Sequence, residues 1–127
     1  MTKQINRPQD LGAYRAAYKL AMEVFRFSQA WPAEERYSLT DQIRRSSRSV
    51  CANLSEAWSK RRYLAHFISK LTDADGENLE TQTWLSFARN CGYLEEKDFD
   101  ELRKASEEVG RLLGGMLAKP GSFCLKD

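Results

Sequence analysis

Apolar residues recur at three- and four-residue spacings through four separate stretches of the chain. Nowhere do they alternate with polar ones in the period of two that a half-buried strand needs. The three prolines, Pro8, Pro32 and Pro120, fall outside all four stretches, so each can run as an uninterrupted helix. The first stretch, 11–29, confines Arg15, Lys19, Glu23 and Arg26 to an arc of roughly 80° when residues are set about 100° apart. Leu11, Tyr14, Tyr18, Leu20, Val24, Phe25 and Phe27 occupy most of the remaining circumference. One buried stripe suffices for a helix on the outside of a monomeric bundle, so this surplus predicts a second partner, most simply another copy of the chain.

The second stretch, 38–58, opens with Ser38-x-x-Asp41, a capping-box-like pair, and carries Leu39, Ile43, Val50, Leu54 and Ala57 on one side. Its small residues, Ser46, Ser47, Ser49, Cys51 and Ala52, predict close approach of a neighbouring helix. In the third, 62–90, an apolar side of Tyr63, Phe67, Leu71, Ala74 and Leu85 is interrupted by a polar middle. Asn78 and Gln82 lie close to the apolar stripe there. Because buried amides must be hydrogen-bonded, these two are expected to meet Asn53 or Glu56 of the second helix in a polar layer. Gly92, after Cys91, is placed to end the helix as a left-handed cap. The fourth stretch, 95–117, sets Phe99, Leu102, Val109, Leu113, Met116 and Leu117 against a charged face. Gly110 and Gly114 on it read as a close-packing spot. The pattern predicts an all-α protein, an up-down-up-down four-helix bundle over 11–118. Flexible segments are expected at 1–10 and 119–127.

With 127 residues, 42% of them apolar, the chain is sized for one domain whose core needs no covalent staple. Cys51, Cys91 and Cys124 are an odd number without a C-x-x-C, which argues against a disulfide framework and a thiolate zinc site and suits a reducing cytoplasm. No apolar run approaches the roughly 20 residues of a membrane span. A di-iron centre would need two Glu-x-x-His pairs, yet His66 is the one histidine and has no glutamate three residues before it. Neither a nucleophile elbow nor a phosphate-cradling glycine loop is present, so we assign no catalytic residue, no metal ligand and no cofactor.

Charge, in contrast, is segregated. Seven basic residues face two acids between Arg36 and Arg62, whereas eleven acids face four basic residues from Asp73 to Glu108. Arginine forks suit phosphate oxygens, which makes Arg44, Arg45, Arg48, Lys60, Arg61 and Arg62 a candidate RNA-binding surface, with Tyr63 beside it to stack on a base. Complementary faces that pair between subunits account for the segregation equally well. Pairing of the Arg44–Arg48 group with Glu77 or Glu80 would point to that second reading.

Pro32-x-x-Glu35-Arg36-Tyr37-x-Leu39-Thr40-x-Gln42-x-Arg44-Arg45, continued by Ser49-Val50-x-x-Asn53-x-x-Glu56, resembles the four-helix-bundle family named for 23S rRNA intervening sequences. Leu79-Glu80-Thr81-Gln82, Gly92-Tyr93-Leu94-Glu95-Glu96-x-Asp98-Phe99 and Glu108-Val109-Gly110-Arg111-Leu112-Leu113 are similar to its later motifs. Ala57 stands where the family usually has glycine. The resemblance implies a ring-shaped homopentamer and establishes no enzymatic activity, in line with the expectation from the missing catalytic motifs that the chain is not an enzyme. It further implies an association with structured RNA such as rRNA, or a role as accessory factor of a reverse transcriptase in a diversity-generating retroelement.

Overall fold

A computed structural model describes residues 4–125 and contains four long helices: α1 (Gly12–Ser28), α2 (Leu39–Ser59), α3 (Leu64–Asn90) and α4 (Glu96–Ala118). No strand occurs among the described residues. Each helix packs on its neighbours in sequence and α4 closes back on α1, so α1 and α3 stand on one diagonal and α2 and α4 on the other. Short connections reverse the chain each time, giving an up-down-up-down bundle.

The apolar stripes meet on the axis. Leu20, Val24, Ile43, Val50, Leu54, Phe67, Leu71, Leu85, Val109 and Leu113 are all at most 2% exposed. Tyr63 departs from its stripe: it precedes α3 and is 60% exposed. Midway along the axis, polar groups cross the core in two pairs. Ser46 of α2 and Thr81 of α3 share a hydrogen bond at 2.8 Å, and Thr81 also donates to the Glu77 carbonyl at 2.9 Å. On the other side of α3, the Asn78 amide donates to the Ser106 carbonyl and accepts from the Ser106 hydroxyl, both at 2.9 Å. All four side chains are buried and satisfied, which is the condition for a polar layer to be tolerated there.

This layer corrects the pairing expected from sequence. Asn78 reaches α4 rather than α2, while Asn53 turns back to bond the Ser49 carbonyl and hydroxyl of its own helix. Glu56 is exposed and pairs with Lys70 at 2.7 Å. Gln82 is half-buried and outside both pairs. The glycine pair of α4 also divides: a Cβ on Gly110 would touch Asn78 Nδ2 at 3.4 Å, whereas Gly114 meets nothing within 4 Å.

The helix ends show how local sequence stops and starts each element. Gly92, at φ 81°, lets the Gly92 and Tyr93 amides fold back onto the Arg89 and Ala88 carbonyls at 3.0 and 2.9 Å. That pattern closes the C-terminus of α3 and requires a left-handed residue at this position. At the start of α2, Ser38 makes no side-chain cap, contrary to the Ser38-x-x-Asp41 reading. Glu35 does the work from a preceding short 3-10 turn (Ala33–Glu35), accepting the Leu39 N–H at 3.4 Å.

Short turns flank the bundle on both sides. Pro8–Asp10 form a 3-10 turn that leads into buried Leu11. Pro120–Ser122 form another, after which Phe123 stacks on Phe67 at 6.1 Å and the Leu125 N–H reaches the Arg61 carbonyl at 3.1 Å. Of the segments expected to be flexible, 1–3 and 126–127 lie outside the described residues. The described cysteines are free thiols, and burial pushes the Cys51 thiol up to about 11.

Candidate nucleic-acid interface

The seven residues selected from sequence do not form one surface. Lys60 is sixteen positions after Arg44, and at 1.5 Å per helical residue the two lie about 24 Å apart along α2. Lys60, Arg61 and Arg62 follow the last turn of α2, where cations complement exposed carbonyls. Arg61 is engaged there: its guanidinium lies 3.9 Å above the Trp58 ring and donates to the Trp58 carbonyl at 2.8 Å. Lys60 and Arg62 are exposed, and Tyr63 rests edge-on against His66 at 5.4 Å.

The other group divides by helical geometry. Arg45 lies over α3 and pairs with Glu80 at 2.5 Å and Glu77 at 3.3 Å, so two carboxylates of the same chain neutralise it. The hydrogen bond it donates to Glu80 raises its already high pKa. Glu80 is held in turn by the Trp84 indole N–H at 3.3 Å. This pairing with Glu77 and Glu80, the one named as a sign of a subunit contact, is intramolecular and removes Arg45 from the candidate surface.

Arg44, about 100° around α2 from Arg45, and Arg48, one turn after Arg44, lie against α1. Arg44 Nε donates to Ser28 Oγ at 2.8 Å, and Ser28 Oγ donates to the Phe25 carbonyl at 3.1 Å. The guanidinium groups of Arg44 and Arg48 lie 4.8 and 5.7 Å from the Phe25 ring centroid. An aromatic face attracts a cation without cancelling its charge. Arg36, exposed in the loop before α2, lines the same recess. Arg36, Arg44 and Arg48 make no ion pair among the described residues.

Two adjoining recesses share Arg36, Thr40 and Arg44. One, of about 440 Å³, runs between the end of α1 and the start of α2, with Phe25, Trp31 and Pro32 as its apolar wall. The other continues to Arg48, and Asp41 is the one carboxylate lining either of them. Sequence reasoning counted Arg36 in the local charge but omitted it from the site, and it took Phe25 for surplus apolar surface. The i, i+4 spacing groups Arg44 with Arg48, but Arg45 is i, i+3 to Arg48, so spacing alone did not separate it.

Two apolar strips remain uncovered. On α1, Tyr14, Tyr18 and Met22 follow a four-residue spacing, with Tyr18 54% and Met22 52% exposed. On α3, Leu79 is 55% and Phe87 54% exposed, and Trp84 lies 6.0 Å from Phe87. No group of three or more His, Cys, Asp or Glu that could hold a metal ion occurs among the described residues. No helix among them is long and apolar enough to cross a membrane.

A family model described as 23S rRNA-intervening sequence protein matches residues 9–115. Among solved structures, a protein of unknown function from the S23 ribosomal protein family of Bacteroides thetaiotaomicron is similar in fold, with a TM-score of 0.76 at 24% sequence identity. The match covers 84% of this chain and 96% of that chain. No curated protein matches the chain.

Proposed function

The chain belongs to the 23S rRNA-intervening sequence protein family, and from that premise we propose that it is a non-enzymatic, oligomeric scaffold of the cytoplasm that binds structured RNA at the Arg36, Arg44 and Arg48 edge. One observation carries the reading: these arginines share one edge without carboxylate partners, and Phe25 and Ser28 hold two of them. Uncompensated, pre-positioned guanidinium groups gain affinity for a polyanion by releasing its counterions. Contacts to phosphate would read charge and shape rather than base sequence. Lys60 and Arg62, at the far end of α2, form a second and separate basic point on each subunit.

Assembly into a homopentameric ring belongs to the same proposal. The apolar strips of α1 and α3 lie on two different helices of one diagonal, so a head-to-tail contact can engage both strips of every subunit. Those strips also favour a second reading, a protein-interaction module that docks a reverse transcriptase without touching nucleic acid.

Fluorescence anisotropy with a structured rRNA fragment and a duplex DNA control, at two salt concentrations, tests the first reading. Binding should prefer the RNA, weaken with salt, and fall in an Arg44→Ala, Arg48→Ala double variant of unchanged oligomeric mass. Absence of binding at low salt overturns RNA recognition and leaves the protein-interaction module.

A further inference from the structure

Resting on the RNA reading above, we propose that the recess between the end of α1 and the start of α2 seats the terminal phosphate monoester of an RNA strand. Charge is the first argument. Arg36, Arg44, Arg45 and Arg48 line the joined recesses with Asp41; Glu77 and Glu80 more than offset Arg45, and the three arginines without an ion pair are opposed there by Asp41 alone. A phosphodiester within a strand carries one negative charge, whereas a phosphate monoester carries about −1.5 to −2 near neutral pH. The concentration of charge fits the end of a strand better than its middle.

Geometry is the second argument. Arg44 spends its Nε on Ser28 and its flat face on Phe25, which fixes the plane of the guanidinium. Its two Nη groups make no hydrogen bond among the described residues and form the fork that grips two phosphate oxygens at once. Ordering of a long side chain, the usual cost of such a contact, has been met within the fold. The third argument is the wall. Phe25, Trp31 and Pro32 line the recess beside the arginines and give a terminal nucleoside an apolar surface to lie against. Trp31 lines the recess and is 8% exposed, so its indole resonance is a probe of that wall.

The test uses the assembled full-length protein and RNA oligonucleotides identical except for 5′-phosphate, 3′-phosphate or hydroxyl ends. One terminal phosphate should tighten binding about ten-fold, the equivalent of one charge-assisted hydrogen bond. Arg44→Lys, which keeps the charge and removes the fork, should abolish most of that preference, bringing the phosphate-ended and hydroxyl-ended strands to within about two-fold of each other. Inorganic phosphate added to 15N-labelled protein should shift the Trp31 indole resonance and leave those of Trp58 and Trp84 in place. Equal binding of all three strands, with Arg44→Ala weakening each alike, overturns the terminal-phosphate site while RNA recognition stands. Failure of every strand to bind, together with a changed oligomeric mass in Arg44→Ala, overturns both and assigns the recess to a subunit contact.

Discussion

Glu35 and Tyr93, 58 positions apart in sequence, tie the two loops at one end of the bundle together. The Tyr93 hydroxyl donates to Glu35 Oε2 at 2.8 Å, while Glu35 Oε1 accepts the Leu39 N–H at the start of α2. The bond to the carboxylate, with burial adding to it, pushes the Tyr93 phenol up to about 12. Only the protonated phenol donates, so the contribution is complete below the ordinary tyrosine value near 10 and is lost as pH rises toward about 12. Thermal melts followed by circular dichroism should show Tyr93→Phe less stable than the native chain at pH 8. The difference should close between pH 10 and 12, and a gap constant across that range would show that the bond does not form in solution. Ser106 allows a parallel argument at neutral pH. Removing its hydroxyl leaves the buried Asn78 Oδ1 without a donor, a loss of about 1 to 3 kcal/mol. Urea unfolding of Ser106→Ala should show that loss, while Ser122→Ala, at an exposed turn, should stay within about 0.5 kcal/mol of the native chain.

At the scale of elements, the C-terminal tail is the clearest test of what holds the α2–α3 connection in place. Phe123 covers Phe67 where α3 begins, and Leu125 ties down the Arg61 carbonyl. Phe123→Ala should cost about 1 kcal/mol from the ring pair alone, and hydrogen exchange should quicken first at Arg61–Leu64 rather than in mid-helix. Nothing in the aperiodic tail announced this docking, because a lone aromatic has no period to reveal its face. The helices themselves were legible for the opposite reason. Leu39, Ile43, Val50 and Leu54 repeat with the helical turn, and burial follows from that repeat whatever the neighbours are. Periodicity fixes the buried face but not which neighbour stands on either flank. Asn78 was therefore recognisable as near the core, whereas its partner on α4 was not. Arg44 and Arg45 differ by about 100° around α2, which is enough to send one to Ser28 of α1 and the other to Glu77 and Glu80 of α3. A charge count along the chain adds them together, while the fold opposes one with carboxylates and stacks the other on an aromatic ring.

For the whole molecule, the placement of uncovered apolar surface decides what kind of assembly can form. Tyr18 and Met22 lie on α1, Leu79 and Phe87 on α3, and these helices occupy one diagonal of the bundle. If each strip met its own counterpart in a two-fold contact, damage to one would leave the other contact intact and a dimer would survive. A head-to-tail contact uses both strips in every interface, so damage to either strip on all subunits dissolves the assembly. We expect the Tyr18→Glu, Met22→Glu variant and the Leu79→Glu, Phe87→Glu variant each to sediment as a monomer with undiminished helical circular dichroism. Each retains the strip that the other has lost. Mixing the two variants should therefore restore one interface and no more, giving a one-to-one heterodimer that cannot grow. Survival of a homodimer in either variant alone would replace the ring with a two-fold assembly, and the three arginines of each subunit would then face a single partner instead of repeating around a circle.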